Sequence, residues 1–377
     1  MRRARPISRD DNRGARRQSI VKAIEVPRCR QAQQLNGTIV LNAQQHPLES
    51  GYGAASTADE VIRGVDLSGK TAIVTGGYSG LGRETVRVLR GAGARVIVPA
   101  RDTNRAREAL RRIEGVEIWS TDLLDSRSIA AFAARFLNEN AALHILVNSA
   151  GIMALPEREL DARGYELQFA TNHLGHFELT TRLLPALRAA KGARVVSVSS
   201  LGHRYSPVHF DDINFEHREY GPWLAYGQSK TANILFAIEL DAREKANGIR
   251  AFSLHPGSIA GTGLEKHIPT KMLIDAGVLD AEGNPIRDPS RNLKTIEQGA
   301  ATSVWCATSA QLDGLGGLYC ENCDVAVAIE PAGGKSSIAE GVRPTGGVRS
   351  FALDQVAASR LWALSETMIS AATNAQE

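Results

Sequence analysis

The stretch Thr-Ala-Ile-Val-Thr-Gly-Gly-Tyr-Ser-Gly-Leu-Gly at residues 71–82 decides the fold class of this chain of 377 residues. Its first five residues form an apolar run of the length of a buried strand, and the pattern that follows predicts a helix over residues 81–90. Glycines between a strand and a helix let the backbone turn tightly, while the first N–H groups of the helix and its dipole attract negative charge. The stretch therefore predicts a phosphate-binding βα unit.

The same alternation of strand and helix continues down the chain. Continuous apolar strands that are each followed by a helix indicate a parallel sheet covered on both faces, with right-handed crossovers. No linker rich in Pro, Gly or Ser divides the run, so we predict an α/β fold in a single domain: a Rossmann-type doubly wound parallel sheet of about seven strands. The further strands are predicted at residues 95–99, 116–119, 143–148, 194–198, 249–254 and 317–319, and the further helices at 104–113, 126–137, 163–190, 225–247 and 296–309.

Both ends of the chain are predicted to extend beyond this domain. We assign residues 46–330 to the dinucleotide-binding domain and residues 331–377 to a C-terminal extension with a terminal helix. Residues 1–45 form a basic N-terminal extension, whose first 30 residues carry ten Lys or Arg and three Asp or Glu. Such an arm suits nucleic acid, a membrane surface or organellar targeting, but we favour a disordered tail or sequence upstream of the true start.

Composition limits the classes of partner. The net charge is +3, 43% of the residues are hydrophobic and 23% are charged, and no apolar run approaches the ~18–20 residues of a membrane-spanning helix. The arm lacks the apolar core of a secretory signal, and four cysteines are few. The few cysteines favour a cytoplasmic setting, and we expect no integral membrane segment. The net charge argues neither for nor against an acidic partner; we expect a small-molecule substrate and no nucleic acid partner.

Two patterns suggest a metal site, but neither is complete. Cys320-Glu-Asn-Cys323 is a CxxC pair, which can bind zinc or cycle as a disulfide, but it lies at the end of a predicted buried strand without a second pair. His173 and His176 are three residues apart with no third ligand in the pattern. We expect structural cysteines, packed histidines and no metal.

The end of the second predicted strand indicates which dinucleotide binds. An Asp or Glu at this point accepts hydrogen bonds from the 2′-hydroxyl of NAD, whereas an Arg accommodates the 2′-phosphate of NADP. Ala100 stands at the expected position of the acid and Arg101 follows it. The pattern favours NADP(H), with NAD(H) as the alternative because Asp102 could turn back to a hydroxyl.

A tyrosine and a lysine four residues apart supply the predicted chemistry. Tyr226 and Lys230 share one face of a predicted helix, so the ammonium lies near the phenol. A free phenol titrates near pH 10, and a nearby cation is expected to lower that pKa toward the working range of a general acid or base. The fifth strand ends at Ser199-Ser200, whose hydroxyls could donate to a substrate oxygen.

Taken together, these motifs resemble the short-chain dehydrogenase/reductase family over about residues 66–330. The resemblance implies that Ser200, Tyr226, Lys230 and Asn172 are catalytic, with Asn172 holding a water that links the lysine to solvent. Asn148-Ser149-Ala150-Gly151 resembles the family's Asn-Asn-Ala-Gly turn, from which it departs at Ser149. The resemblance also implies that residues 256–294 contain the substrate loop. The implied cofactor-binding residues are Gly76, Tyr78, Ser79, Gly80, Leu81, Gly82, Arg101, Asp122, Leu123, Asn148, Ala150, Gly151, Tyr226, Lys230, Pro256, Gly257, Ile259 and Thr262.

Within the family, the chain resembles the branch of retinol dehydrogenases and WW-domain oxidoreductases. This implies an NADP(H)-dependent oxidoreductase that interconverts an alcohol and an aldehyde or ketone, with a lipophilic substrate. Two alternatives stay open: an NAD(P)-dependent epimerase or dehydratase, and an NADP-binding sensor without catalysis. Family members form homodimers or homotetramers through helices that here contain Phe177 and Leu235, although a C-terminal extension can cover those faces and leave a monomer.

Overall fold

The computed structural model describes residues 42–329 and 346–374. The basic arm and Cys29 therefore lie outside the described residues, as does the start of the C-terminal extension. The domain boundaries at residues 45 and 330 remain predictions.

One eight-stranded sheet organises the domain and confirms the predicted fold class. Its strand order is β3-β2-β1-β4-β5-β6-β7-β8, and all neighbours are parallel except β7 and β8. The strands are β1 Thr71–Val74, β2 Arg95–Ala100, β3 Val116–Ser120, β4 Ile145–Asn148, β5 Ala193–Val198, β6 Ile249–His255, β7 Leu318–Glu321 and β8 Asp324–Val325. The order reverses between β1 and β4, which is the switch point where such sheets bind ligands.

The helices cover both faces of this sheet. Neighbouring residues of one strand enter different cores: Val74 and Val96 pack in one, and Ile73 and Ile97 in the other. This doubly buried arrangement explains why the strands read as continuous apolar runs. The helices are α1 Ala58–Ile62, α2 Gly80–Gly91, α3 Thr103–Leu110, α4 Ser126–Glu139, α5 Leu167–Phe169, α6 Gly175–Ala189, α7 Pro222–Glu244, α8 Thr270–Asp275, α9 Ile296–Thr308 and α10 Gln355–Asn374.

The prediction of one long helix over residues 163–190 is wrong, because the helix is interrupted. A π-helical turn, Ala170–Leu174, interrupts it between α5 and α6. At the end of this turn a Cβ on Gly175 would lie within 2.9 Å of the Cβ of Leu123, so the helix can approach the loop after β3 only because residue 175 is glycine. Single π turns inside α-helices occur frequently at functional sites.

An eighth strand was not predicted, because its signal is only two residues long. The turn between β7 and β8 contains Asn322 and Cys323, both with positive φ (54° and 59°). A second, separate pair of strands, β9 Ala328–Ile329 and β10 Val348–Arg349, is parallel. Strands this short lack a readable period-two pattern.

Residues near both ends of the described chain pack on the domain. Gln45 is buried and donates to the carbonyls of Tyr319 (2.8 Å) and Ala326 (2.7 Å). At the other end, Trp362 of α10 packs edge-on against Phe177 of α6, with ring centroids 4.9 Å apart. It also stacks on Phe236 of α7 at 6.0 Å and 13°. The helix α10 thus covers the apolar faces of α6 and α7.

Candidate active site

The glycine-rich turn lies between β1 and α2 as the sequence predicts. Gly76 and Gly80 have positive φ, 64° and 47°, which a residue with a Cβ rarely adopts. A Cβ on Gly76 would lie 2.9 Å from the Cα of Ala150, and a Cβ on Gly82 would lie 2.5 Å from the carbonyl oxygen of Gly76. Glycine is therefore required at these positions by close backbone approach.

The first turn of α2 is open to an anion. Ser79 occupies the N-cap position, but its side chain makes no capping hydrogen bond. The hydroxyl of Ser79 therefore does not accept a hydrogen bond from the first N–H groups of α2. Tyr78 and Leu81 are both half-buried, and Tyr78 packs against the core beside the turn. A helix N-terminus of this kind fits a pyrophosphate.

Thr75 joins this turn to the loop after β4. Its hydroxyl oxygen accepts hydrogen bonds from the backbone N–H groups of Ser149 (2.9 Å) and Ala150 (3.0 Å). Asn148 is buried and donates from Nδ2 to Thr180 at 3.1 Å. The two predicted cofactor turns are thereby fixed relative to each other, with Gly151 directly following.

The end of β2 presents the predicted arginine to solvent. Arg101 is exposed, and among residues 42–329 and 346–374 it has no hydrogen-bond or ion-pair partner. Asp102, by contrast, is the N-cap of α3, where its carboxylate accepts from the N–H groups of Asn104 (3.1 Å) and Arg105 (2.9 Å). The Asp102 carboxylate, which could have accepted a hydrogen bond from a ribose hydroxyl, thus caps α3, whereas the Arg101 guanidinium has no such partner.

The loop after β3 carries two of the predicted cofactor-binding residues, Asp122 and Leu123. The carboxylate of Asp122 accepts from the N–H of Leu124 at 3.0 Å, and its own N–H donates to Ser128 at 2.9 Å. Leu123 is partly buried against the core formed with α4 and α6. These hydrogen bonds within the loop fix its conformation, and Asp122 remains half-exposed.

The loop after β6 returns to the glycine-rich turn. A Cβ on Gly80 would lie 3.0 Å from the Cβ of Thr262, so Thr262 stands beside the N-terminus of α2. The side chains of Ile259 and Leu81 both lie within 3 Å of the position that a Cβ on Gly299 would take. Ile259 and Thr262, two of the predicted cofactor-binding residues, are thus brought next to the glycine-rich turn.

Lys294 closes the base of this loop and was not predicted. The N–H of Ser258 donates to Asn292, and the N–H of Lys294 donates back to Ser258 at 3.0 Å. The buried lysine chain lies against Gly257 after Pro256, and its ammonium donates to Asn322 at 2.6 Å. A single lysine carries no sequence pattern that could have revealed this role.

Ser200 and Tyr226 come together at the carboxyl end of β5. Both side chains lie against Gly202: a Cβ there would lie 2.7 Å from Tyr226 Cε1 and 3.4 Å from Ser200 Oγ, which accepts from the N–H of Gly202 at 3.0 Å. The Ser200 hydroxyl acts to lower the pKa of Tyr226. Burial nevertheless raises the pKa of Tyr226 to about 12, opposite to the expected decrease. The phenol is thus a proton donor throughout the neutral range in this state.

The position of Lys230 explains why it does not lower that pKa here. Its ammonium donates to the carbonyl of Val198 at 3.1 Å and lies 5.5 Å from the centroid of the Tyr226 ring, over the ring face. Burial lowers the pKa of Lys230 to about 8. The lysine does lie on the same helix face as Tyr226, as the i, i+4 spacing predicts.

Asn172 lies in the π turn and its side chain is fully engaged. Oδ1 accepts from the N–H of Ile152 at 2.9 Å, and Nδ2 donates to the carbonyl of Ile152 and to Ser229 Oγ at 3.0 and 2.9 Å. A Cβ on Gly151 would lie 3.0 Å from Asn172 Oδ1 and 3.5 Å from Lys230 Nζ. Asn172 therefore connects the loop after β4 with the helix that carries Lys230.

An aromatic series beside Tyr226 was also missed. The Trp223 ring lies 6.2 Å from the Tyr226 ring, and the Tyr205 ring lies 5.7 Å from Trp223. Tyr226 is buried, Trp223 is half-buried and Tyr205 is 48% exposed, so the series leads from the Tyr226 phenol toward solvent. The i, i+3 spacing of Trp223 and Tyr226 was the available signal.

The cysteines and histidines that the sequence suggested as metal ligands are buried in the protein. Cys306, Cys320 and Cys323 are free, buried thiols, and burial raises the pKa of Cys323 to about 12. His173 bonds to Ser365, and His176 bonds to Thr75. Within the described ranges, no three such side chains form a metal-binding group, and no helix is long and apolar enough to span a bilayer.

Comparisons with known proteins agree with this geometry. A family model described as short chain dehydrogenase matches residues 70–273. The chain is 43% identical to a "Probable oxidoreductase" of Streptomyces lividans, over 81% of this chain and 100% of that protein. It is 38% identical to the WW domain-containing oxidoreductase of Gallus gallus (76% and 69% covered) and 38% identical to retinol dehydrogenase 11 of Mus musculus (70% and 80% covered).

These matches confirm the predicted family and branch. They also confirm the predicted enzyme class, an oxidoreductase that acts on CH–OH or C=O groups with NAD(P). The chain belongs to the short-chain dehydrogenase/reductase family.

Proposed function

We propose that this chain is an NADP(H)-dependent oxidoreductase that interconverts an alcohol and an aldehyde or ketone on a lipophilic substrate. Ser200, Tyr226, Lys230 and Asn172 carry the reaction in this proposal. The observation that carries it is the approach of the Ser200 and Tyr226 side chains to Gly202 at the end of β5, where a Cβ would lie 3.4 Å from Ser200 Oγ and 2.7 Å from Tyr226 Cε1. A substrate oxygen at this place could accept hydrogen bonds from both.

The protonation state of the pair suits carbonyl reduction. The glycine-rich turn would hold NADPH, which would supply a hydride for the carbonyl carbon. Ser200 donates a hydrogen bond to the carbonyl oxygen, and Tyr226 transfers its proton to that oxygen as negative charge develops there. The products are the alcohol and NADP⁺, and the phenolate then regains a proton from solvent. The ammonium of Lys230, on the same helix face, stabilises the phenolate during that interval.

The choice of NADP(H) over NAD(H) rests on the end of β2. The exposed guanidinium of Arg101 has no partner among the described residues, and the Asp102 carboxylate is committed to capping α3. Guanidinium matches phosphate geometry with paired donors. A 2′-phosphate therefore finds a cation there, and a 2′-hydroxyl finds no free carboxylate from Asp102.

The aromatic series and the loop after β6 support a lipophilic substrate. Trp223 and Tyr205 lie on the solvent side of Tyr226 and offer apolar ring faces. Leu264, Ile268 and Leu273 in the loop are partly buried, and Met272 is 39% exposed. Such loops bury the apolar part of a substrate when they close. The three buried free thiols favour the reducing cytoplasm as the setting.

The cofactor half is tested by fluorescence titration with NADPH and NADH. The wild type is compared with Arg101→Ala and with Arg112→Ala, another exposed arginine that lies beyond the opposite end of α3. We expect wild type and R112A to prefer NADPH by about tenfold or more, and R101A to lose that preference, since a charge-assisted contact contributes ~1.5–3 kcal/mol. Equal binding of both cofactors by wild type would overturn the NADP(H) assignment.

The catalytic half is tested with Tyr226→Phe against Tyr165→Phe. Tyr165 is the control, because its hydroxyl donates to the Met368 carbonyl of α10 at 2.9 Å. Turnover of lipophilic aldehydes should fall by about 10²–10⁴ in Y226F with NADPH binding retained, as for loss of a general acid, and stay near wild type in Y165F. Binding of NADPH without turnover in the wild type would instead support the sensor.

A further inference from the structure

His176 occupies a central position between the cofactor turns and Asn172. Its Nδ1 lies 3.0 Å from the carbonyl oxygen of Asn172, and its Nε2 lies 2.8 Å from the hydroxyl of Thr75. The side chain is 2% exposed. From this geometry we propose that His176 is a positioning residue. It fixes the positions of the Asn172 carbonyl and the Thr75 hydroxyl, and thereby the position of the cofactor turns relative to the helix that carries Lys230. The inference rests on the proposed function of this site.

The partners of the ring determine where its proton lies. A backbone carbonyl can only accept a hydrogen bond, so Nδ1 must carry the proton that is donated to Asn172. Nε2 is then an acceptor, and the Thr75 hydroxyl donates to it. The alternative acceptor for that hydroxyl, the carbonyl of Val147, is farther away at 3.4 Å.

This arrangement leaves Thr75 with its lone pairs free for the cofactor turn. With its single proton directed at His176, the hydroxyl oxygen accepts from the N–H groups of both Ser149 and Ala150. Ala150 in turn contacts Gly76, where a Cβ would lie 2.9 Å from the Ala150 Cα. The histidine thus orients the hydroxyl that fixes both glycine-bearing turns.

The other side of the ring acts on the π turn. The Asn172 side chain already spans Ile152 and Ser229, and Ser229 lies next to Lys230 in the chain. The backbone carbonyl of Asn172 accepts a hydrogen bond from His176 Nδ1. A shift of Asn172 would be transmitted to Gly151 and Lys230, because a Cβ on Gly151 would lie 3.0 Å from Asn172 Oδ1 and 3.5 Å from Lys230 Nζ.

His173, one turn earlier, shows what a packed core histidine looks like in the same helix. Its ring contacts the rings of Phe169, Phe177 and Phe236, with centroids 5.0 to 6.0 Å away. Its Nε2 bonds to Ser365 of α10, and its Nδ1 has no partner among the described residues. His173 therefore provides a matched control for burial without a link to the site.

Two substitutions separate the two hydrogen bonds of His176. The amide of Asn can occupy the place of Nδ1, and the longer side chain of Gln can reach the place of Nε2. We expect His176→Asn to keep kcat within about threefold and to raise the dissociation constant of NADPH about tenfold, the effect of one buried hydrogen bond. His176→Gln should retain NADPH affinity and lower kcat by about tenfold or more, because the Asn172 carbonyl loses its donor.

Each variant is measured for Tm, NADPH dissociation constant, KM and kcat, alongside His173→Gln. The expected split between kcat and cofactor affinity at His176, with only Tm changed at His173, supports the positioning role. Variants at His176 that change Tm alone would show a core residue and overturn it. Failure of the proposed function would look different, since the wild type itself would then lack turnover.

A spectroscopic measurement tests the proposal without any turnover. In protein labelled with ¹⁵N-histidine, the signals that disappear in H176N and H176Q belong to His176. Their ¹⁵N shifts should report a neutral ring with the proton on Nδ1, the rarer tautomer of free histidine. A proton on Nε2 would contradict the hydrogen-bond order on which the inference depends.

Discussion

The His203 side chain holds the carbonyl of Ser200, with 2.7 Å between Nδ1 and the carbonyl oxygen. On its other edge, Nε2 accepts a hydrogen bond from the N–H of Arg349 in β10 at 3.2 Å. The ring therefore donates on one side and accepts on the other, which only a neutral histidine can do. The loop that follows Ser200 is in this way linked to the strand β10 near the C-terminal end of the described residues.

Acidification should destabilise the protein because of this and two similar histidines. Burial lowers the pKa of His203 and His173 to about 3 and that of His176 to about 4, below the 6.5 of an exposed histidine. The unfolded chain therefore binds more protons below pH 6.5, and each histidine lowers the free energy of unfolding by about 1.4 kcal/mol per pH unit. Glu166 opposes one of them, because burial raises its pKa to about 7.

Thermal melts at pH 7.5, 6.5, 5.5 and 4.5 check this expectation. Tm should change little above pH 6.5 and fall steeply below it. Replacing the exposed His267 by Gln should leave the profile unchanged. A Tm that stays flat down to pH 4.5 would be inconsistent with three neutral buried histidines.

Gly76→Ala should impair cofactor binding through geometry alone. Its φ of 64° costs an alanine about 1–2 kcal/mol, and the new Cβ would lie 2.9 Å from the Ala150 Cα. We expect at least about tenfold weaker NADPH binding and a lower free energy of unfolding. The control is Gly91→Ala in α2, where a Cβ meets nothing within 4 Å and helix propensity improves by up to about 1 kcal/mol. Unchanged NADPH affinity in G76A would argue against a pyrophosphate at this turn.

Trp223→Ala should change substrate preference more than chemistry. Loss of the ring removes about 2 kcal/mol of apolar contact, or roughly thirtyfold in kcat/KM, for an aldehyde with a long or aromatic apolar group. A short aliphatic aldehyde should be much less affected, and Trp223→Phe should retain most of the preference. The comparison of kcat/KM for the two aldehydes decides the matter. An equal loss for both would mean that Trp223 only supports Tyr226.

Trp362→Ala should expose the faces that α10 covers. The indole lies against Phe177 and Phe236, so its removal should lower the free energy of unfolding by about 3–5 kcal/mol. We expect a monomeric wild type and self-association of the variant, measured by light scattering during gel filtration. Val356→Ala on the same helix is the control, since Val356 is 73% exposed. A wild-type dimer or tetramer would show that association uses another surface.

Much of the fold could be predicted because it depends on sequence patterns within short segments. The strand Thr71–Val74, its glycine turn and its helix are contiguous, and each βα unit repeats that signal. The pairs Tyr226 and Lys230, and Ala100 and Arg101, were found for the same reason: short spacings place them on one helix face or at one strand end. The strand β8 and the π turn were missed because both depend on a few residues and on contacts with distant segments.

Sequence alone determined the doubly wound sheet, the family and the order of residues that meet at the carboxyl edge of the strands, since these follow from periodicity and local spacing. Tertiary structure decided the electrostatic state of the site and its supports. The pKa of Tyr226 is set by burial, and the positions of Ser200 and Asn172 are fixed by His203 and His176. The cover over α6 and α7 comes from Trp362, far along the chain. These features depend on desolvation and on hydrogen bonds between residues remote in sequence, which no local pattern encodes.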